Sequence, residues 1–217
     1  MQLLNVLTAR STWLFDVNDL NPRGKSFFSD LIVWLRGRYG FSTFPSTPSD
    51  VDQSKGLAFK GGKFQTKDKV NLAVELIIYT DGLVANTYSS TEDTDMFIED
   101  ALAAATSEFD LNYTPEMIRQ KLYLSEIGVR LNQSLAKLNP KLDAFAARIS
   151  SVCHTRFEPG GVSFWTDVAN SAIKTPPFSI ERRVNAPFSE NRFFSTAPLG
   201  TTLHKMLLAE FEQLLAD

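Results

Sequence analysis

The sequence predicts an α+β fold: an antiparallel or mixed β-sheet with about four helices packed on it, in a single domain spanning residues 1–217. Three observations carry this expectation. Residues 70–89, VNLAVELIIYTDGLVANTYS, alternate apolar and polar side chains on either side of an Asp-Gly pair, the pattern of a hairpin. Segments of helical period follow capping residues at Ser90, at Asn139-Pro140 and at Thr201 or Thr202. Strand-like and helix-like segments alternate irregularly, without the regular βαβ spacing of a parallel sheet, and no internal repeat or linker is visible.

Taken in order, residues 2–17 read as extended, because Trp13, Phe15 and Val17 alternate with Leu14 and Asp16. A turn at 19–24 leads to a helix with Phe28, Leu31, Ile32 and Leu35 on one face, ending near Gly37 and Gly40. Residues 42–56, STFPSTPSDVDQSKG, are a long loop by their two prolines and many small polar residues. Leu57-Ala58-Phe59 and Phe64 flank Lys60-Gly61-Gly62-Lys63, which suggests a short hairpin with Gly-Gly at its tip. In the 70–89 hairpin, a type I′ turn at Asp81-Gly82 sets Ile78 opposite Ala85.

Ser90 caps a helix whose buried stripe is Phe97, Ala101, Leu102, Ala105 and Phe109, and Glu92, Asp93 and Asp95 suit the positive end of its dipole. Thr114-Pro115 opens one short helical turn. Residues 122–131 form a strand with a bulge expected at Gly128. The helix opened by Asn139-Pro140 is expected to bury Leu142, Phe145 and Ile149. Alternation returns at Val162–Val168, at Phe178–Val184 and at residues 192–196. The last helix presents Leu203, Leu207, Phe211 and Leu214 on one side.

Composition excludes several functional classes. The hydrophobic fraction of 43% with 22% charged residues is that of an ordinary globular chain. The single cysteine, Cys153, forbids an internal disulfide and a Cys-rich zinc module. A net charge of −3 shows none of the basic excess that phosphate-dominated nucleic-acid binding favours. The longest apolar run, Leu72 to Tyr79, contains Glu75 and is far too short to span a membrane. The N-terminus lacks the basic start of a signal peptide, so the expected compartment is the cytoplasm.

No catalytic motif emerges. Cys153 and His154 are adjacent, which on any element aims them apart, and His204 is the only other histidine. Glu92, Asp93, Asp95, Glu99 and Asp100 are dense enough to suggest a hard cation, yet acids at a helix N-terminus are stabilising in their own right. Lys60-Gly61-Gly62-Lys63 lacks the Lys-Ser/Thr ending of a phosphate loop. Arg36–Phe44 echoes an RNA-recognition strand, but an extra residue after its first glycine would turn later side chains to the wrong face. No catalytic residue, cofactor or metal site is assigned.

The segment Pro176–Asp217 carries the functional expectation. It interleaves Phe178, Phe188, Phe193 and Phe194 with Arg182, Arg183 and Arg192, a composition enriched in interface cores. Strand parity sends Arg182 and Arg183 to opposite faces, one toward a carboxylate inside the domain and one toward a ligand or partner. The candidate interaction residues are Arg182, Arg183, Phe188, Glu190, Arg192 and Phe193. The expected function is a non-enzymatic subunit or adaptor that binds a protein partner or a second copy of itself. Two alternatives stand beside it: an enzyme with dispersed acid–base residues, with Glu181, His204 and Arg192 as first suspects, and a nucleic-acid module using a local Arg/Phe surface, which the acidic balance disfavours.

Overall fold

The computed structural model describes residues 1–24, 28–47, 55–167, 169 and 174–216. Among them are eight strands and four α-helices, in the order β1 (Gln2–Leu14), α1 (Phe28–Tyr39), β2 (Leu57–Gln65), β3 (Asn71–Tyr79), β4 (Gly82–Thr87), α2 (Thr91–Phe109), β5 (Gln120–Arg130), α3 (Pro140–Cys153), β6 (Gly161–Phe164), β7 (Phe178–Arg182), β8 (Arg192–Ala197) and α4 (Thr201–Leu214). The strands form one antiparallel sheet in the order β2-β3-β4-β1-β5-β8-β7-β6, so the fold is α+β.

The chain divides into two compact units, residues 8–123 and residues 1–7 with 124–217. The element series strand, helix, three strands, helix occurs twice, and the sheet order of the second set mirrors that of the first. The repeat is therefore topological and leaves no trace in the sequence, because each copy is built from different side chains. Two backbone hydrogen bonds mark equivalent points: Phe15 N–H donates to the Asp81 carbonyl, and Leu131 N–H donates to the Asn191 carbonyl, each at 3.0 Å.

In the first unit, odd-numbered residues of β1 (Ala9, Ser11, Trp13) and even-numbered residues of β3 (Val74, Leu76, Ile78) turn toward the helices. Trp13, Val74, Leu76 and Ile78 join Phe15, Phe59, Phe97 and Ile98 in a core of eighteen buried apolar residues, with Tyr39 edge-on to Phe97 at 5.1 Å. Ser90 caps α2 as its sequence requires, accepting from the Asp93 N–H, and the helix buries Phe97, Ala101, Leu102 and Ala105. The second unit has nine such residues, led by Ile127, Val129, Ile180, Phe193, Leu208 and Phe211. α1 gives Leu35 and Tyr39 to the first core, whereas α3 gives nothing to the second.

Several local expectations are corrected. Lys60-Gly61-Gly62-Lys63 is no hairpin tip: β2 is continuous and takes a β-bulge between Phe59 and Gly62, with Gly61 at φ 67° and Gly62 beneath the Phe41 ring. The β3–β4 loop is Thr80-Asp81, and neither residue has a positive φ, so the turn is not type I′. Ile78 consequently faces Leu83, with Leu76 opposite Ala85. The shift is by two residues, so the same faces stay apolar. Gly82 is a glycine for a different reason, since a Cβ there would run into the Trp13 carbonyl of β1.

Gly128 lies in an unbroken register and makes no bulge; a Cβ at this point would strike the Asn5 side-chain oxygen. The strand begun at Val162 ends at Phe164, and the strand begun at Phe178 ends at Arg182. Val168 lies outside the described residues, as do residues 48–54 of the long loop. α4 buries Thr201, His204, Leu208 and Phe211, a face rotated from the expected one, and leaves Leu203 and Leu214 exposed.

Glycine replacements test this reading. Gly82→Ala should cost about 1–3 kcal/mol, the usual penalty for forcing a methyl group into filled space. Gly37→Ala, at a helical position with nothing nearby, should gain about 0.5–1 kcal/mol. Thermal denaturation of the two variants should move in opposite directions.

Candidate interaction surface

The six expected interaction residues divide between the interior and the surface of the second unit. Phe193 is fully buried in the core. Arg182 turns inward, its guanidinium 4.7 Å from the Phe188 ring and 5.0 Å from the Phe193 ring. It pairs at 2.8 Å with Glu158, and the two side chains are only 7% and 9% exposed. Burial draws the Arg182 pKa below the ordinary arginine value while the Glu158 charge opposes that shift. Glu158 also pairs with Arg156, and Ser134 donates to it. The cluster pins β7 to the segment after α3.

Arg183 projects from the opposite face and lies over the Phe194 ring at 5.2 Å. Arg192, directly opposite Arg183, shares that face, since its neighbour Phe193 points to the core. Glu190 approaches the Arg192 Nε at 3.3 Å without hydrogen-bond alignment, which leaves that N–H with no acceptor. Parity therefore separates the two adjacent arginines as the sequence requires.

Residues suspected of acid–base work do not converge. His204 lies on the helix-covered side of β8, and Arg192 and Glu181 on the other. The His204 Nε2 is 2.8 Å from the Ser195 Oγ, and its Nδ1 is 2.5 Å from the Ser125 Oγ. Ser195 donates its one hydroxyl proton to the Ser179 carbonyl, so its oxygen accepts from Nε2–H, and Nδ1 accepts from Ser125. Burial lowers the His204 pKa to about 4. This is a sealed, neutral histidine joining α4 to β5 and β8, with no access for a substrate. Cys153 is exposed at the end of α3, and His154 caps that helix in the left-handed conformation.

Of the acidic cluster, Asp95 accepts from the Trp13 indole at 2.8 Å and the Tyr123 hydroxyl at 2.9 Å. Burial and the Asp95 hydrogen bond raise the Tyr123 pKa above the usual phenol range. Lys121 lies 3.6 Å over the Trp13 ring. Asp100 binds Arg38 and Tyr39 on the helix surface.

The largest departure from expectation is α3. Its apolar residues recur at helical spacing, but Leu142, Phe145 and Val152 are 51%, 64% and 68% exposed, and only Ala146 is buried. Leu138, Phe157, Phe164 and Trp165 of the same unit are exposed as well. A stripe of this kind is uncommon on the surface of a monomer. Amphipathicity is legible in the sequence, but which way the stripe faces is not.

No family model matches the chain, and no curated protein matches it. Among solved structures, "Methanococcus jannaschii TBP" is similar over 99% of this chain and 97% of its own, at 15% identity and a TM-score of 0.46. No helix among the described residues is long and apolar enough to cross a membrane.

Proposed function

We propose that the protein is a non-enzymatic interaction subunit that docks a partner protein along α3. The exposed apolar stripe of Leu142, Phe145 and Val152 carries this reading, since an amphipathic helix ordinarily turns such a stripe toward a core. Lys141 and Arg148 precede Phe145 and Val152 by one turn and line one flank of the stripe. They favour a partner that sets acidic side chains beside its own apolar surface. The short strand β6 lies at the edge of the sheet, with Phe164 and Trp165 exposed at its end.

The test is light scattering and co-purification from the source, comparing the natural chain with the double variant Phe145→Glu/Val152→Glu. The natural chain should run as an oligomer or a stable complex. The variant should run as a folded monomer with an unchanged Tm, because neither side chain supports the core. A natural chain that is strictly monomeric and partnerless at micromolar concentration overturns the reading.

A further inference from the structure

Register brings Arg130 together with two arginines more than fifty residues further along the chain. Arg130 of β5 is directly opposite Arg192 of β8. Arg183, the residue after β7, donates its backbone N–H to the Arg192 carbonyl at 2.9 Å, which places it opposite Arg192 on the other side. All three side chains leave the face turned away from the helices, since Val129, Phe193 and Arg182 point inward. Neighbouring side chains in such a row stand about 5 Å apart, and like charges in directly opposed positions repel.

The fold does not require this row. The equivalent positions of the first unit, at the same end of its sheet, are Tyr79, Gly82 and Leu14, joined by the same register. Nor do the described residues neutralise the charge. Among the described residues Glu190 alone pairs with the row, through Arg192, while Arg130 and Arg183 have no carboxylate partner. Glu181 stands in the next row, opposite Phe194, and pairs with neither. Gly128, opposite Phe194, carries no side chain of its own beside Arg130, and the Asn5 side-chain oxygen occupies that space.

We propose that Arg130, Arg192 and Arg183 form a binding site for a phosphate-class dianion. Three guanidiniums and one carboxylate leave the row at net +2, which a dianion neutralises. The planar N–H forks of arginine suit the several oxygens of a phosphate group, whereas a single carboxylate would be satisfied by one of the three. Phe194 holds the Arg183 guanidinium by stacking, so part of the site is ordered before binding. The proposal is independent of the α3 docking surface.

The test uses the full chain titrated with inorganic phosphate at constant ionic strength, read by Tm and by the NMR signals of the arginine Nε–H groups. Binding should saturate, the signals of all three arginines should move together, and chloride should reproduce neither effect. Arg130→Gln and Arg183→Gln should each weaken phosphate binding at least tenfold. Without phosphate, both variants should have a Tm equal to or above that of the natural chain, since each relieves repulsion. Phosphate that acts no differently from chloride, or binds both variants as tightly as the natural chain, overturns the site. So does a single-stranded oligonucleotide that binds through these arginines while inorganic phosphate does not. A Tm loss in both phosphate-free variants would mark the row as structural and also overturn it.

Discussion

Arg182→Ala should destabilise the protein by about 3 kcal/mol, while Arg183→Ala should stay within about 0.5 kcal/mol of the natural chain. The two residues are adjacent in sequence, but the structure gives them opposite surroundings. Arg182 is enclosed by Phe188, Phe193 and Glu158, so its removal strands a buried carboxylate and empties the space between two rings. Arg156 and Ser134 still reach Glu158, which holds the cost near the lower end of the usual range for a broken buried pair. Arg183 is exposed and loses only its contact with Phe194. Urea denaturation of both variants checks the contrast. The double variant Arg182→Met/Glu158→Gln should recover much of the loss, because an apolar or neutral replacement removes both charges together. Equal losses from Arg182→Ala and Arg183→Ala would show that the strand does not divide them.

Acidification should weaken the fold through His204. The folded-state pKa is about 4, below the ordinary value of 6.5, so the unfolded chain takes up the proton first as pH falls. The stability that neutral His204 provides is complete above pH 6.5 and is lost as pH falls toward 4. A shift of this size corresponds to about 3 kcal/mol over the full interval. Protonation would also place an N–H at Nδ1, where the Ser125 hydroxyl now donates. Stability measured between pH 7 and 5 should therefore fall, and His204→Gln should flatten that slope while costing about 1–2 kcal/mol at pH 7.5 for imperfect hydrogen bonds. A slope unchanged by His204→Gln would assign it to carboxylates instead.

The sheet and the candidate surface are coupled through how little the second core holds. The first unit fills its interior with Trp13, Phe15, Phe59 and Phe97, and its first helix has room to contribute Leu35 and Tyr39. The second is completed by α4 and by the residues following β5, and α3 is left with its stripe outward. A helix with the right period but no place in the core keeps its apolar stripe exposed. The same comparison between units isolates the arginine row, because the first unit builds the same corner from Tyr79, Gly82 and Leu14.

The sequence by itself determined what depends on neighbours along the chain. Alternation marked the strands, and Ser90, Thr114-Pro115 and Asn139-Pro140 marked helical starts, because capping and pleating act over a few residues. Parity alone separated Arg182 from Arg183. Only the tertiary structure decided what depends on distant partners. The β3–β4 register answers to β1 pressing on Gly82, the Gly-Gly pair in β2 is a bulge under Phe41, and α3 is exposed because other residues complete its core. The topological repeat was invisible because similar backbones can be stabilised by different side chains. Arg130 is more than fifty residues from Arg183 and Arg192 in sequence, and hydrogen-bond register alone brings the three together, since pairing across a sheet is long-range.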